Sequence, residues 1–215
     1  MTGIDWHFDV LSPFARVHLS MLDALPADVT VRPRPTLLGA VLKHWGQLGP
    51  AEIEPKRLHT YRLALHVAAR HGVALRFPPR HPFNPLPAMR LLAGLDDGTG
   101  PTLDQTDSAM RHVWDEGRAP DDEAGLAAFA EAVGADPSLA TADASKAALR
   151  ATTDEAIGRG VFGVPTFAVP NGEGHTLFWG VDAFPMLLEH LADPTMLERE
   201  PYAAAARTEF GIARR

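Results

Sequence analysis

The chain has 215 residues, 46% of them hydrophobic and 22% charged, with a formal charge of −7 and no cysteine. That length supports one large domain, or one domain carrying a sizeable insertion, with enough chain to bury a real core. The acidic balance argues against a general nucleic-acid binder, whose phosphate contacts need a basic face. The missing thiols exclude disulfides, cysteine nucleophiles and Cys-based metal clusters.

Asp5, His7, Asp9 and Arg16 interrupt the first twenty residues, unlike a secretory signal. No uncharged stretch reaches the roughly 20 apolar residues of a membrane span, so the reading is a cytoplasmic protein with no membrane partner. Residues 28–90 carry ten Arg or Lys against three Asp or Glu, whereas residues 96–155 carry fourteen Asp or Glu against four Arg or Lys. The basic segment suits a small anionic ligand; two oppositely charged, solvated faces of a helical layer would give the same counts.

Ile4, Trp6, Phe8 and Val10 alternate with Asp5, His7 and Asp9, the period of a strand. Ser12 is a good N-cap and Pro13 suits a first helical turn, so a helix is expected to run to about Leu25. Pro26-Ala27-Asp28 turns the chain into a second strand, Val29–Arg34. From Leu37 to about Ala148 the pattern is helical: Leu37–Leu48, Pro55–His71 stopped by Gly72, Leu86–Ala93, Thr102–Glu116, Asp121–Val133 and Ser138–Leu149. Val73–Phe77 reads as a brief extended run. Thr153–Arg159 completes a helix, and strands Pro165–Pro170 and His175–Trp179 flank an Asn171-Gly172 hairpin turn. Asp182 then caps a last helix ending near Leu191, and the alanine-rich tail from Pro194 reads equally as a docked helix or a frayed end.

The assembly is βαβ, a long helical block, then αββα. This is an α/β thioredoxin-like core, residues 1–36 and 150–215, with an all-helical insertion at 37–149. Two places could carry chemistry. Ser12 stands at a helix start, among unpaired N–H groups and near the positive end of the dipole, where a ligand thiolate would be stabilised; an ordinary N-cap explains the same letters. Val164-Pro165 precedes a strand as a candidate cis-proline, whose preceding backbone can pair with an extended ligand; a plain loop proline is the alternative. No compact His/carboxylate spacing points to a metal, and His7 and His81 have no evident partners.

Both sites lie in segments that carry a resemblance. FDVLSPF (8–14) and FGVPTF (162–167), with RPTLLGAVLKHWG (34–46), PKRLHTY (55–61), FPPRHPFNPLPAMRL (77–91) and FWGVDAF (178–184), resemble the 2-hydroxychromene-2-carboxylate isomerase family, akin to kappa-class glutathione transferases and DsbA-like proteins. The similarity runs in order from Ile4 to Leu191. It implies a glutathione-dependent homodimeric enzyme of aromatic-compound degradation, acting on a small anionic aromatic substrate. Ser12 matches the family's catalytic serine, which holds the glutathione sulfur. Val164 and the cis residue Pro165 match the contacts to the cysteinyl portion, Asp182 the acidic residue near the γ-glutamyl amine, and Lys56 the lysine near the glycyl carboxylate.

Two departures accompany this match. Gln47 stands where the family often has asparagine, and Val181-Asp182-Ala183 lacks the usual serine and arginine. Asn84 reads either as a substrate-site amide or as a helix cap, and Arg90 reads as structural. Conjugation of glutathione to another electrophile, or a non-catalytic thioredoxin-like binding role, are the alternative functions. Disulfide exchange is ruled out for a chain without thiols.

Overall fold

The computed structural model describes residues 2–172, 174–209 and 211. A four-stranded mixed sheet has the order β2-β1-β3-β4, built from β1 (Thr2–Phe8), β2 (Val29–Pro35), β3 (Thr166–Asn171) and β4 (Gly174–Trp179). β1 runs parallel to β2 and antiparallel to β3, and β3 pairs antiparallel with β4. Helix α1 (Pro13–Leu19) links the first two strands. Then come α2 (Leu38–His44), α3 (Glu54–Arg70), α4 (Leu86–Ala93), α5 (Leu103–Trp114), α6 (Glu123–Val133) and α7 (Asp143–Gly158) before the chain returns to β3. Helices α8 (Phe184–Ala192) and α9 (Tyr202–Ala206) close it. This is the thioredoxin-like α/β core with an extensive helical insertion that the letters predict.

Alternation in β1 suggests one wet face, yet Ile4 through Phe8 are all buried. The strand is central and covered on both sides. On one face Trp6 stacks on Phe8 with centroids 5.0 Å apart, and its indole N–H donates to His18 Nδ1 of α1 at 3.2 Å. Phe167 and Phe184 fill the rest of that layer. On the other face the polar letters find charged or hydroxyl partners. Asp5 accepts from Arg32 and Arg159, Glu155 of α7 pairs with Arg34 and Arg159, and His7 Nδ1 lies 3.0 Å from Thr36 Oγ1. Thr36 spends its own proton on the Arg34 carbonyl, so His7 is the donor to it.

Several boundaries move for local reasons. Ser20 Oγ donates back to Val17 O at 2.7 Å, ending α1 at Leu19, and Leu22–Ala24 form a separate 3₁₀ turn. The run 138–159 is not two helices. Pro137–Ala140 make a 3₁₀ turn under the Asp136 side chain, and α7 then runs unbroken through residues 149 and 150, with no proline and no glycine before its last residue to stop it. Val73–Phe77 joins no strand; Arg76 N–H bonds instead to the Trp114 carbonyl. At the hairpin Asn171 stays on the ladder opposite Gly174, so Gly172, at φ +56°, turns the chain one residue later than expected. Thr102 and Gln105 form a reciprocal capping box that starts α5.

The insertion and the sheet share one apolar cluster, in which Met89, Leu92, Met110 and Trp114 meet Trp6, Phe8 and Phe167. An ion pair crosses the same junction. Arg16 of α1, almost wholly buried, forks onto both oxygens of Asp115 just beyond α5, at 2.8 and 2.9 Å. Removing one partner leaves a buried guanidinium unanswered, which costs more than the pair contributes. Asp115 keeps some solvent contact and Asp107 stands 3.9 Å away, so the loss is reduced. Asp115→Ala should lower unfolding free energy by about 2–3 kcal/mol in urea titrations; a change near zero would show that the pair does not join α1 to the insertion.

Candidate active site

Residues 9–12 carry the chain from the end of β1 into α1, and nearly every polar group of that loop is held. Ser12 N–H bonds to Asp9 O at 3.0 Å, Trp114 Nε1 donates to Val10 O at 2.9 Å, and the Leu11 carbonyl faces His81 Nε2 at 2.9 Å. The Ser12 carbonyl takes Ala15 N–H at 3.1 Å, and Val10 N–H points at Met89 Sδ, 3.5 Å away. Asp9 itself is fully buried and accepts from Leu11 N–H and from Leu38 N–H at the start of α2, both at 2.9 Å. Burial pushes the Asp9 carboxyl up to about 6, and the two backbone donors pull the other way.

One group in this loop is left over. Ser12 occupies the N-cap position of α1 with extended backbone angles, yet its side chain makes no cap bond. Only 6% of the residue is exposed, and among the described residues its hydroxyl has no hydrogen-bond partner. An N-cap serine ordinarily bonds the amide of the second or third helical residue. Here the proton is available to something outside the chain.

The register His7↔Thr166 brings the C-terminal end of β1 beside the N-terminal end of β3, and hence the Ser12 loop beside Val164-Pro165. The Val164–Pro165 peptide is cis. The Pro165 carbonyl accepts Gly180 N–H at 2.9 Å, and Thr166 Oγ1 donates to Gly163 O at 2.7 Å. Among the described residues neither backbone group of Val164 is engaged. Unpaired N–H and C=O groups at a sheet end are a docking edge for an extended ligand.

Aromatic side chains border this edge. Trp45 Nε1 donates to Val161 O at 2.9 Å, and Phe162 meets Trp179 edge-on at 5.1 Å, with all three rings substantially exposed. Gly163 permits that approach, since a Cβ there would lie 2.6 Å from Trp179 Nε1. Gly180, at φ +83°, leaves its space to the Asp182 carboxylate, 2.7 Å from where a Cβ would stand.

The remaining residues expected from the sequence fall as follows. Asp182 does not cap α8: it lies in the 3₁₀ turn Val181–Ala183, exposed, and Ala183 is the N-cap residue. Gly180 N–H is bonded to Pro165 O, which ties the chain to the cis-proline two residues before Asp182. Gln47 is exposed just past α2, its N–H bonded to Leu42 O at 2.8 Å. Lys56 is exposed in the first turn of α3 and makes no ion pair among the described residues. Asn84 lies one residue before Pro85, the N-cap residue of α4, and its Oδ1 accepts Leu86 N–H at 3.1 Å.

The sequence reading missed three features. Asp9 looked like one more polar letter of the strand, although an Asp two residues before Leu11 is the spacing at which a carboxylate bonds a nearby amide. The apparent isolation of His7 and His81 was wrong. His81 bridges Leu11 to α3, its Nδ1 lying 2.7 Å from Tyr61 Oη. The Leu11 carbonyl can only accept, so Nε2 carries the proton, and Nδ1 and the His81 carbonyl, each 2.7 Å from Tyr61 Oη, compete for the one tyrosine proton. Burial lowers the His81 pKa, opposed by the bond to Leu11.

The sequence profile of the DSBA-like thioredoxin domain matches residues 3–192. The chain belongs to that family. A family relative, 2-hydroxychromene-2-carboxylate isomerase from Pseudomonas putida, is 30% identical over 192 residues, covering 86% of this chain and 91% of the relative. A solved structure of a 2-hydroxychromene-2-carboxylate isomerase superposes with a TM-score of 0.73 at 26% identity, covering 96% of this chain and all of that one. A probable DsbA oxidoreductase from Streptomyces coelicolor, at TM-score 0.65 and 20% identity over 99% of this chain and 94% of its own, shares the fold. In this member of the DSBA-like family serine stands at the helix entry, and no thiol is present anywhere.

Burial of Asp9 has a measurable signature. The folded state holds the Asp9 proton more tightly than the unfolded chain does, so between about pH 4 and 6 this group makes stability fall as pH rises. His7 and His18, both pulled down to about 4 by burial, act oppositely, and their contribution fades as pH drops below about 6.5. Subtracting the Asp9→Asn variant isolates the carboxylate. Wild-type stability relative to that variant should decline by roughly 2–3 kcal/mol from pH 4 to pH 7 in urea titrations; a difference independent of pH would contradict it.

Proposed function

We propose that this protein is a glutathione-dependent cis-trans isomerase that interconverts 2-hydroxychromene-2-carboxylate and trans-o-hydroxybenzylidenepyruvate. The observation that carries the reading is the unpartnered hydroxyl of Ser12, a residue itself only 6% exposed, in a chain similar along most of its length to an isomerase of that substrate.

The residues fit a thiol tripeptide. Ser12 offers an O–H donor where sulfur would lie, and the free N–H and C=O of Val164 match a peptide's own backbone groups. Asp182 supplies a carboxylate for an amine, Lys56 a cation for a terminal carboxylate, and Gln47 a further amide. Bound glutathione would supply a sulfur nucleophile that adds to the conjugated system and later leaves, so that a double bond becomes free to rotate.

The chain's own part is placement and charge. Donation from Ser12 Oγ favours the ionised sulfur over the neutral thiol, as hydrogen bonding to a charged form always does. The loop cannot yield as charge develops, because Asp9, Trp114 and His81 already hold its backbone, and such preorganised donors lose nothing to reorientation during reaction. Trp45, Phe162 and Trp179 offer flat apolar surface to an aromatic substrate beside the peptide edge. Asn84, whose oxygen already accepts from Leu86, keeps its NH₂ donors and one acceptor site for a substrate contact. The working unit is a homodimer, as expected for a relative of these enzymes.

Turnover of the chromene carboxylate, followed with and without reduced glutathione, tests this directly. Interconversion should require glutathione and leave its concentration unchanged, and Ser12→Ala should lower kcat/KM about a hundredfold. Stoichiometric loss of glutathione would make the enzyme a transferase instead. Turnover without glutathione, or an unimpaired Ser12→Ala variant, would refute the reading.

A further inference from the structure

A cavity of about 810 Å³ lies between α2, α4 and α7, and its lining includes neither Ser12 nor Val164. Leu37 and Ala40 form one wall, Leu86 and Arg90 a second, and Lys146 and Arg150 a third. Three cations therefore face a single carboxylate, Asp154.

The cations are not equivalent. Lys146 is answered by Asp143 at 2.9 Å, and Arg150, four residues from Asp154 on α7, makes no ion pair among the described residues, but both cations are exposed. Arg90 differs from them in its burial. It is half-buried on α4, and among the described residues its guanidinium makes neither an ion pair nor a hydrogen bond. Its nitrogens are not shut off from water, so its five N–H donors stay open to a ligand entering the cavity. The smaller cavity near α6 differs in this respect, since its Arg80 already pairs with Asp121.

Apolar surface adjoins the free guanidinium. Leu37, Ala40 and Leu86 are half-buried, and Leu149 lies beneath at 3% exposure. A cleft of this size with apolar walls and one convergent charge is the ordinary form of a small-molecule site. We propose that the α2–α4–α7 cavity is a second binding site for a small aryl carboxylate, with Arg90 forking onto the carboxylate and the ring lying on Leu37 and Leu86. The site stands whether or not the isomerase reading holds.

Benzoate and its neutral isostere benzamide are suitable probes, titrated calorimetrically into the full-length protein at low salt. Benzoate should bind saturably and benzamide about tenfold more weakly or not at all. Arg90→Gln should weaken benzoate at least about tenfold, Arg90→Lys should restore part of the loss, and Ser12→Ala should leave affinity unchanged. If Arg90→Gln does not fold, Ala40→Asp on the α2 wall gives the second reading, since a carboxylate there should repel the ligand. Absence of saturable benzoate binding, equal binding of benzamide, loss in Ser12→Ala, or full affinity in a folded Arg90→Gln or Ala40→Asp variant would overturn the proposal.

Discussion

One buried carboxylate holds the site together. Asp9 directly follows the central strand and receives two amides that belong to different parts of the chain, Leu11 in the loop before α1 and Leu38 at the entry of the helical insertion. A carboxylate taken fully out of water persists only where donors answer it, so the cost of burying Asp9 is also what makes the geometry unique. Slackening either bond would let the Ser12 loop or α2 move independently. The surrounding contacts repeat the theme: Trp114, His81 and Met89 all come from the insertion, and all reach residues 10 and 11. The insertion is thus the brace of the thioredoxin-like loop as well as a cover for the sheet.

This arrangement depends on a strand whose polar letters are interior. Asp5 is held ionised against its burial by Arg159 and by Arg32 and Arg34, so its carboxyl lies below the usual range. His7 and His18, without nearby carboxylates in bonding contact, stay neutral instead. The strand therefore carries a charged pair network on one face, with neutral imidazoles beside it that each make one side-chain bond, His7 to Thr36 and His18 of α1 to Trp6.

The order of elements could be read from the letters because it rests on period and punctuation: alternation in β1, Pro13 at a helix start, Gly72 and Gly134 at helix ends. Ser12 and Val164-Pro165 were visible for the same reason, as residues with unusual local chemistry before regular elements. Asp9, His81 and Tyr61 were not, because what matters about them is long-range. Tyr61 and His81 lie twenty residues apart and His81 and Leu11 seventy, and no local pattern encodes such a meeting. The expected cap at Asp182 failed: the residue lies in the turn before α8, just after another long-range bond, Gly180 to Pro165.

In the proposed function, the Ser12 hydroxyl, which does not cap its helix, meets a sulfur carried by glutathione. The most direct test is the ionisation of that sulfur when bound, read from the ultraviolet absorbance of the glutathione thiolate as pH is varied with protein in excess. The account predicts a bound thiol pKa at least about one unit below the model thiol value of about 8.5, returning most of the way in Ser12→Ala. A bound thiol that titrates like the free one, or whose depressed pKa is unaffected by Ser12→Ala, would contradict it.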